Sequence, residues 1–516
     1  MFANELSLLG GALVSLVAIT VLIRLAPALG LLDRPSVHKT HALRTPFVGG
    51  FGLLAALFVG LFFANHLVPE LRSEWLWLAV ASVTLFAVGL IDDIRPMCFR
   101  PRLLVQALVA LMMTLGAGVV LHDFGHLWFG TTLALGVLAV PFTVFATIGI
   151  INAVNMTDGM DGLAGSLSMI TLGILAVLSL LHGGYTHLPL MLALFGGLAA
   201  FLYFNLRHPW QPQARVFLGD NGSMLLGLLL IWLVIPATQG EQAFLSPVGA
   251  LWLLALPVMD TVSVILRRLW LRESPFKADR NHLHHFMERA GFRVQGVVGV
   301  VATLHLLLAG AGLGLLAAGV PEWAMLMLFL GVLSVYAYLT VRPWRAVPAL
   351  RRLHGKLGLV PNAVAGIYIG HEGAENPERL RELIAGAIDE GRFFRLRVFE
   401  WAESSPHRGT RYALVEVPWK HEHRAPLEAA QLSRRIARAA TKAGMRVRAR
   451  PMVWRNAQHD RRFRARDPAV ERRANDRRGA EVRIQVYDAN VFAGYELHPA
   501  TSADETQRAK GPSRAA

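Results

Sequence analysis

One cysteine, Cys98, occurs among 516 residues. A single thiol excludes an internal disulfide framework and any metal site built from several cysteines. Charge is scarce too. Asp, Glu, Lys and Arg make up 17% of the chain against 54% hydrophobic residues, and 36 acids face 51 Lys and Arg. That composition excludes an ordinary soluble protein. No Gly-rich loop ending in Lys-Ser or Lys-Thr is present, which argues against an ATPase. The first apolar run carries Glu5 where a cleavable signal peptide has basic residues, and no small-residue cleavage pattern follows. The run is therefore expected to stay in place as a membrane span.

Apolar runs are what the chain has in abundance. Up to residue 341 they recur at about 17–23 residues, the length that crosses ~30 Å of hydrocarbon. Eleven spans fit, at about 7–29, 47–66, 75–91, 103–121, 132–151, 162–181, 188–206, 222–237, 247–266, 296–318 and 322–341. Fifteen Lys and Arg fall in the odd-numbered connections against Arg72 alone in the even ones. The odd connections are therefore expected to be cytoplasmic, with the N-terminus outside. The expected fold is an all-α polytopic membrane domain over residues 1–341, followed by a small cytoplasmic α+β domain over 342–454. Strand patterns near 363–370, 393–401, 410–418 and 445–454, with helical patterns near 376–391 and 425–444, suggest a ferredoxin-like βαββαβ order. Residues 455–516 read as an Arg-rich segment and a disordered tail.

Polar clusters break the apolar pattern at one set of boundaries. Asp92-Asp93 end the third span, and Asn152-Ala-Val-Asn155-Met-Thr-Asp158-Gly-Met-Asp161-Gly162 separates the fifth from the sixth. Phe217-Leu-Gly-Asp220-Asn-Gly-Ser223 opens the eighth. Charges at bilayer depth cost about 2.5–3.5 kcal/mol each, so such clusters are expected to serve a purpose. Each also has a plainer reading. On it, Asp92 and Asp93 only pair with Arg95, Arg100 or Arg102, Asp161 caps the sixth span, and Asp220 caps the eighth.

All three clusters fall on the predicted cytoplasmic face. A pore or transporter is expected to place polar groups near the midplane instead. Oxygen ligands of this kind suit Mg²⁺, which takes one or two carboxylates together with waters and substrate phosphates. The loop Ser274-Pro-Phe-Lys277-Ala-Asp-Arg280-Asn-His282-Leu-His284-His285 sets imidazoles beside cations, a pattern fitting a polyanion better than zinc. Arg34, Lys39, His41 and Arg44 form a second basic strip. Carboxylates for a cation and cations for phosphates together describe phosphoryl transfer.

At these residues the chain resembles the polyprenyl-phosphate N-acetylhexosamine-1-phosphate transferases (glycosyltransferase family 4). The likeness covers residues 1–341. It rests on Asp33 through His41 with Pro46 and Gly49-Gly50, on Asp92-Asp93, on Asn152 through Leu163, on Phe217 through Ser223, and on Ser274 through His285. The resemblance implies transfer of a sugar 1-phosphate, most readily GlcNAc 1-phosphate, from a UDP-N-acetylhexosamine to undecaprenyl phosphate. UMP is released and a lipid-linked glycan is begun. Asp220 is then the first choice for Mg²⁺ ligand, with Asp92 and Asp93 near the metal and the lipid phosphate and Asp92 as base. Asn152, Asn155, Asp158 and Asp161 would hold nucleotide, sugar or metal-bound water. Arg280, His282, His284 and His285 would bind diphosphate or sugar, and Lys39 a phosphate. The same likeness admits Mn²⁺ in place of Mg²⁺ and a homodimer, and implies a multi-pass protein of the bacterial cytoplasmic (inner) membrane with its site inside.

The chain departs from the family pattern at His38, where relatives often carry Arg, and after Asp93, where Arg95-Pro96 stands where some relatives have a third acid. The alternatives are the sister enzyme acting on phospho-MurNAc-pentapeptide and a non-enzymatic lipid-phosphate carrier or scaffold. For the C-terminal region, interspersed acids favour lipid or protein contact, and no nucleic acid is expected.

Overall fold

The computed structural model describes residues 2–33, 45–128, 130–183, 186–211, 213–240, 243–270, 272, 274, 282–290 and 292–341, then six strands and a few helical residues beyond 341. The chain divides into two compact units, one of residues 1–288 with 293–341, the other of 342–516 with 289–292. In the first, the apolar runs fold as α1 (Phe2–Leu29), α2 (Gly49–Leu67), α3 (Arg72–Ile94), α4 (Phe99–Leu111), α5 (Ala139–Thr157), α6 (Leu163–Leu181), α7 (Leu188–Asn205) and α8 (Gly219–Thr238). They continue as α9 (Pro247–Leu253), α10 (Ala255–Trp270), the short α11 (Leu283–Arg289), α12 (Val294–Ala317) and α13 (Glu322–Thr340). Ten helices among the described residues are long and apolar enough to cross a membrane, and the protein is a polytopic membrane protein.

Three boundaries differ from the sequence reading. The run expected as one span at 247–266 is two helices, α9 and α10, bent by 81°. Pro257 causes the break, because it has no N–H for the carbonyl of Leu253 and its ring would clash there. The freed Leu253 carbonyl accepts the Thr171 hydroxyl at 3.2 Å, and Thr171 also meets His305 Nε2 at 3.0 Å. The fourth span ends at Gly116, short of 121, where a wider turn over Met112–Gly116 leads to Gly118 at φ +74°. The fifth helix runs on through Thr157, so Asn152 and Asn155 sit on its last turns rather than in a loop.

Helix α8 is apolar on every side, and 94% of its spanning window is buried, against 17% for α13. A helix hydrophobic all round belongs in the middle of a bundle, while one covered on a single side faces lipid. The N-terminal turn of α8 is reached closely by two other backbones. A Cβ on Gly89 of α3 would lie 2.5 Å from the Asn221 Cα and 2.8 Å from the Asp220 carbonyl carbon. A Cβ on Gly50 of α2 would lie 2.7 Å from the Gly222 Cα. Gly89→Ala is therefore expected to pry α3 from α8 and cost about 1–3 kcal/mol by overpacking. A lowered melting midpoint in detergent checks this; an unchanged midpoint would mean that the two helices are not tightly apposed.

The far end of the bundle is closed by a buried polar knot. Glu74 accepts from Trp232 Nε1 at 3.1 Å and meets His187 Nε2 at 2.6 Å, tying α3, α7 and α8 together. Buried polar groups need such partners, because an unmade hydrogen bond there costs about 1–3 kcal/mol.

The second unit contains a six-stranded sheet formed by β3 (Ala363–Glu372), β4 (Arg397–Glu400), β5 (Thr410–Pro418), β6 (Val447–Arg455), β7 (Ala469–Asn475) and β8 (Glu481–Asp488), in the order β4-β5-β3-β6-β8-β7. The pairs are antiparallel except β6 with β8, which is parallel. Strands β7 and β8 fall inside the segment read as Arg-rich and leading to a disordered tail. Their sequences explain the difference: Glu-Val-Arg-Ile-Gln-Val-Tyr-Asp alternates apolar and polar residues with the period of a strand.

Candidate active site

The polar clusters meet at one end of the bundle, around the first turn of α8. A two-stranded pairing, β1 (Leu32–Asp33) with β2 (Thr45–Pro46), leads into α2. From there Pro46 accepts the Phe217 N–H at 2.8 Å, Gly49 N–H donates to the Phe217 carbonyl at 2.9 Å, and Gly50 N–H to that of Leu218 at 3.1 Å. The first and fourth sequence motifs are thus joined backbone to backbone. Gly219, at φ +78°, turns the chain into α8 and presents Asp220 and Asn221.

Adjacent acids on α3 do different things. Asp93 Oδ1 accepts the Asp220 N–H at 2.9 Å, and its Oδ2 accepts the Asn221 N–H at 3.0 Å and the Asn221 side-chain amide at 2.6 Å. A carboxylate at this position satisfies free N–H groups and complements the positive end of the helix. Asp92, 6% exposed, points elsewhere. Its Oδ1 accepts the Met97 N–H and its Oδ2 accepts from Arg102, both at 2.5 Å. The same Arg102 nitrogen lies 3.9 Å from Asp220 Oδ2, so one guanidinium stands between two carboxylates. Asn155 Nδ2 donates to Asp220 Oδ1 at 2.7 Å and to Ser223 Oγ at 2.8 Å, bringing the end of α5 onto the start of α8.

Asp158 follows at the end of α5. Its side chain accepts no hydrogen bond among the described residues. Burial pushes its carboxyl well above the usual range, and the charges of Asp220, Asp93 and Asp161 push it further in the same direction. Asp161, three residues on, does not cap α6. That place belongs to Gly162, in the left-handed region. Asp161 Oδ2 instead accepts from Arg207 Nε at 2.6 Å and from the Ala214 N–H at 3.4 Å. Asn152 lies deeper, donating to Gln106 Oε1 at 2.7 Å and to the Ile148 carbonyl at 2.8 Å.

The histidines gather on α11. Asp260 of α10 meets His282 Nδ1 at 2.7 Å, accepts the Leu283 N–H at 3.1 Å and accepts the Tyr336 hydroxyl of α13 at 2.7 Å. It thereby fixes the start of the histidine helix. His284 is buried against the Asp158 loop, its Nε2 2.5 Å from where a Cβ on Gly159 would be. Burial holds its imidazole well below the usual histidine range, and the neighbouring His285 and His282 lower it further. A neutral His284 donates through one nitrogen only. Lys39 and Arg280 lie outside the described residues.

Asp92, Asp93, Asn155, Asp158, Asp220 and the His284 ring are thus brought together, while Asn152 sits below them and Asp161 to one side. The sequence reading named no role for Asn221, Ser223, Gln106, Tyr336 or Arg207. Asn221 and Ser223 stand inside the quoted Phe217–Ser223 motif, and that was the available signal. Nothing local to Tyr336 announces its bond to Asp260, 76 residues away.

Two oxygen sites accept no short bond from an N–H donor among the described residues: the Asp158 carboxylate, and Asp220 Oδ2, which lies 3.9 Å from Arg102, while the Asp220 carboxyl also meets that of Asp92. Among the described residues no three His, Cys, Asp or Glu side chains form a metal cage. An arrangement of this kind can gather anionic reactants only with further positive charge.

The family model for glycosyl transferase family 4 matches residues 75–238, the stretch from α3 to the end of α8. Among curated proteins, the chain is 35% identical over 336 residues to an undecaprenyl-phosphate alpha-N-acetylglucosaminyl 1-phosphate transferase of Yersinia pestis, covering 65% of this chain and 90% of that protein. It is 34% identical to the protein of the same name from Salmonella typhi and 33% to that of Escherichia coli (strain K12), with the same coverage of each. With nine-tenths of these relatives spanned, and the matched stretch carrying the acids around the first turn of α8, the chain belongs to glycosyl transferase family 4 and is a membrane-bound phosphoglycosyl transferase.

Proposed function

We propose that this protein transfers GlcNAc 1-phosphate from UDP-GlcNAc to undecaprenyl phosphate at the cytoplasmic face of a bacterial inner membrane. The names of its relatives support the acceptor and the sugar. The observation that carries the reading is the meeting of Asp92 and Asp220 at one guanidinium, Arg102, with Asn155 bonded to Asp220 and Asp158 within reach of its charge, at a single end of the helix bundle. An oxygen of the lipid phosphate attacks the β-phosphorus of the donor. The new P–O bond forms as the bond to UMP breaks, and UMP leaves with the bonding electrons.

The donor set fits Mg²⁺. Asp220 Oδ2 and the Asp158 carboxylate are hard oxygens with spare lone pairs, and Mg²⁺ needs only one or two carboxylates beside waters and phosphates. Bound there, it would supply charge neutralisation for the phosphoryl oxygens. Asn155 holds Asp220 in its rotamer by the 2.7 Å bond. Arg102, held by Asp92, offers N–H donors to a phosphate oxygen. His284, on the helix that Asp260 fixes, lies beside the Asp158 loop with His285 next to it, and the pair suits sugar or phosphate contact. The excess of Lys and Arg in the odd connections supports the orientation.

Purified protein with undecaprenyl phosphate, Mg²⁺ and a panel of UDP-sugars tests the reading. UDP-GlcNAc is expected to release UMP and yield a lipid diphosphosugar. Turnover confined to UDP-MurNAc-pentapeptide would move the protein to the sister activity, and lipid binding without UMP release would make it a carrier.

A further inference from the structure

The connection from α7 together with the first turn of α8, residues 206–221, carries Asp220 near its end, and it is fastened at both ends. At its start, Asn205 accepts the Gly162 N–H at 2.6 Å and donates to the Val216 carbonyl at 2.8 Å. Beside it, Asp161 takes Arg207 Nε and the Ala214 N–H on one oxygen. Asp161 is buried and Arg207 half-buried, so this pair is shielded from solvent more than a surface ion pair. At the segment's far end, Asp93 takes two backbone N–H groups and the Asn221 amide. Each of the two acidic motifs therefore has one member bound to this segment (Asp93, Asp161) and one that is not (Asp92, Asp158).

We propose that Asp93 and Asp161 are positioning residues, which hold the two ends of the α7–α8 segment and so set Asp220, and that neither ligates a cation nor moves a proton in the transfer. Asp93 already accepts from three donors in the first turn of α8, which leaves about one of its four acceptor sites for a cation. A free N–H pair at a helix start is costly to leave unsatisfied. Asp161 likewise spends Oδ2 on a guanidinium and a backbone amide. What both acids control is the angle at which Gly219 delivers Asp220 to Asn155 and Arg102.

The assignment rests on the transferase reading for the reaction that it serves, and the test separates the two. The full chain in nanodiscs is compared as wild type, Asp93→Asn, Asn221→Ala and their combination, and as Asp161→Asn, Arg207→Ala and theirs. Turnover and backbone amide exchange are measured for each. Supporting residues of this kind typically cost about 10–100-fold when altered. Each single change is expected to lower turnover in that range, and each double change to fall well short of the product of its singles. Amide exchange is expected to rise at residues 219–222 in the first set and 207–216 in the second. Additive losses with amide exchange unchanged would overturn the assignment. Wild-type protein that transfers no sugar phosphate would overturn the transferase reading, and the exchange data would still decide whether Asp93 and Asp161 hold the segment. Asn221→Ala and Arg207→Ala keep both acids in place, so the question survives a carboxylate variant that fails to fold.

Discussion

Asp220→Asn is expected to lower turnover by about 10²–10³-fold, the loss typical of removing one preorganised charge or donor from a reacting centre. Asparagine keeps the shape of the side chain and an oxygen for the Asn155 amide, so the 2.7 Å bond survives. It removes the negative charge that faces Arg102 and the oxygen proposed for the cation. Two readings of Asp220 differ sharply in size here. As an acid in the first turn of α8 it contributes about 0.3–1 kcal/mol to the helix through the dipole. On that reading alone, the variant would melt slightly lower and turn over nearly as fast. As a charge in the reacting centre it is worth several kcal/mol of barrier, at about 1.36 kcal/mol per tenfold in rate. Initial rates of UMP release, set beside melting midpoints of the same samples, discriminate the two. A variant retaining a third or more of wild-type turnover would remove Asp220 from the chemistry.

What the sequence disclosed of this site follows from how membranes penalise charge. Asp92, Asp93, Asp158 and Asp220 stood out because each interrupts an apolar run at its boundary, and they do come to one end of the bundle. Direction was invisible. Asp92 and Asp93 are neighbours, yet one turns to Arg102 and the other to the backbone of α8. No pattern in α3 separates them, because their partners come from α4 and α8. Asp158 and Asp161 are divided in the same way, since Arg207 lies 46 residues beyond Asp161. Helix limits were legible where glycine, proline or charge stopped a run. They were misread where an asparagine continued one: Asn152 bonds its own helix carbonyl at Ile148 and lets α5 carry on to Thr157. The break at Leu254 was announced by Pro257, but the apolar run on either side was long enough to pass as one span. In the C-terminal unit, the arginines of 455–483 outweighed an alternation that builds β7 and β8.

Chelation is expected to bring transfer down by at least about 10²-fold, with Mg²⁺ restoring it fully and Mn²⁺ substantially, because several kcal/mol of charge stabilisation would be withdrawn. Among the described residues around the start of α8, Asp92, Asp93, Asp158, Asp161 and Asp220 are opposed by Arg102 and Arg207, and Arg207 is spent on Asp161. The raised carboxyl of Asp158 records that excess, since its neighbours push it in the direction that burial does. Two phosphorylated reactants must then approach each other and this group of acids. At an effective dielectric of about 20, one unfavourable pair of unit charges at 4 Å costs about 4 kcal/mol. Arg102 cannot offset several such pairs while it holds Asp92. Ca²⁺ is expected to substitute poorly, because it prefers six to eight oxygens and a looser shell than a site offering one or two carboxylates. Transfer measured in excess EDTA, then after stepwise return of each cation, decides the matter. Undiminished transfer in EDTA would mean that the missing positive charge comes from the protein itself, and Lys39 and Arg280 would be the first residues to replace.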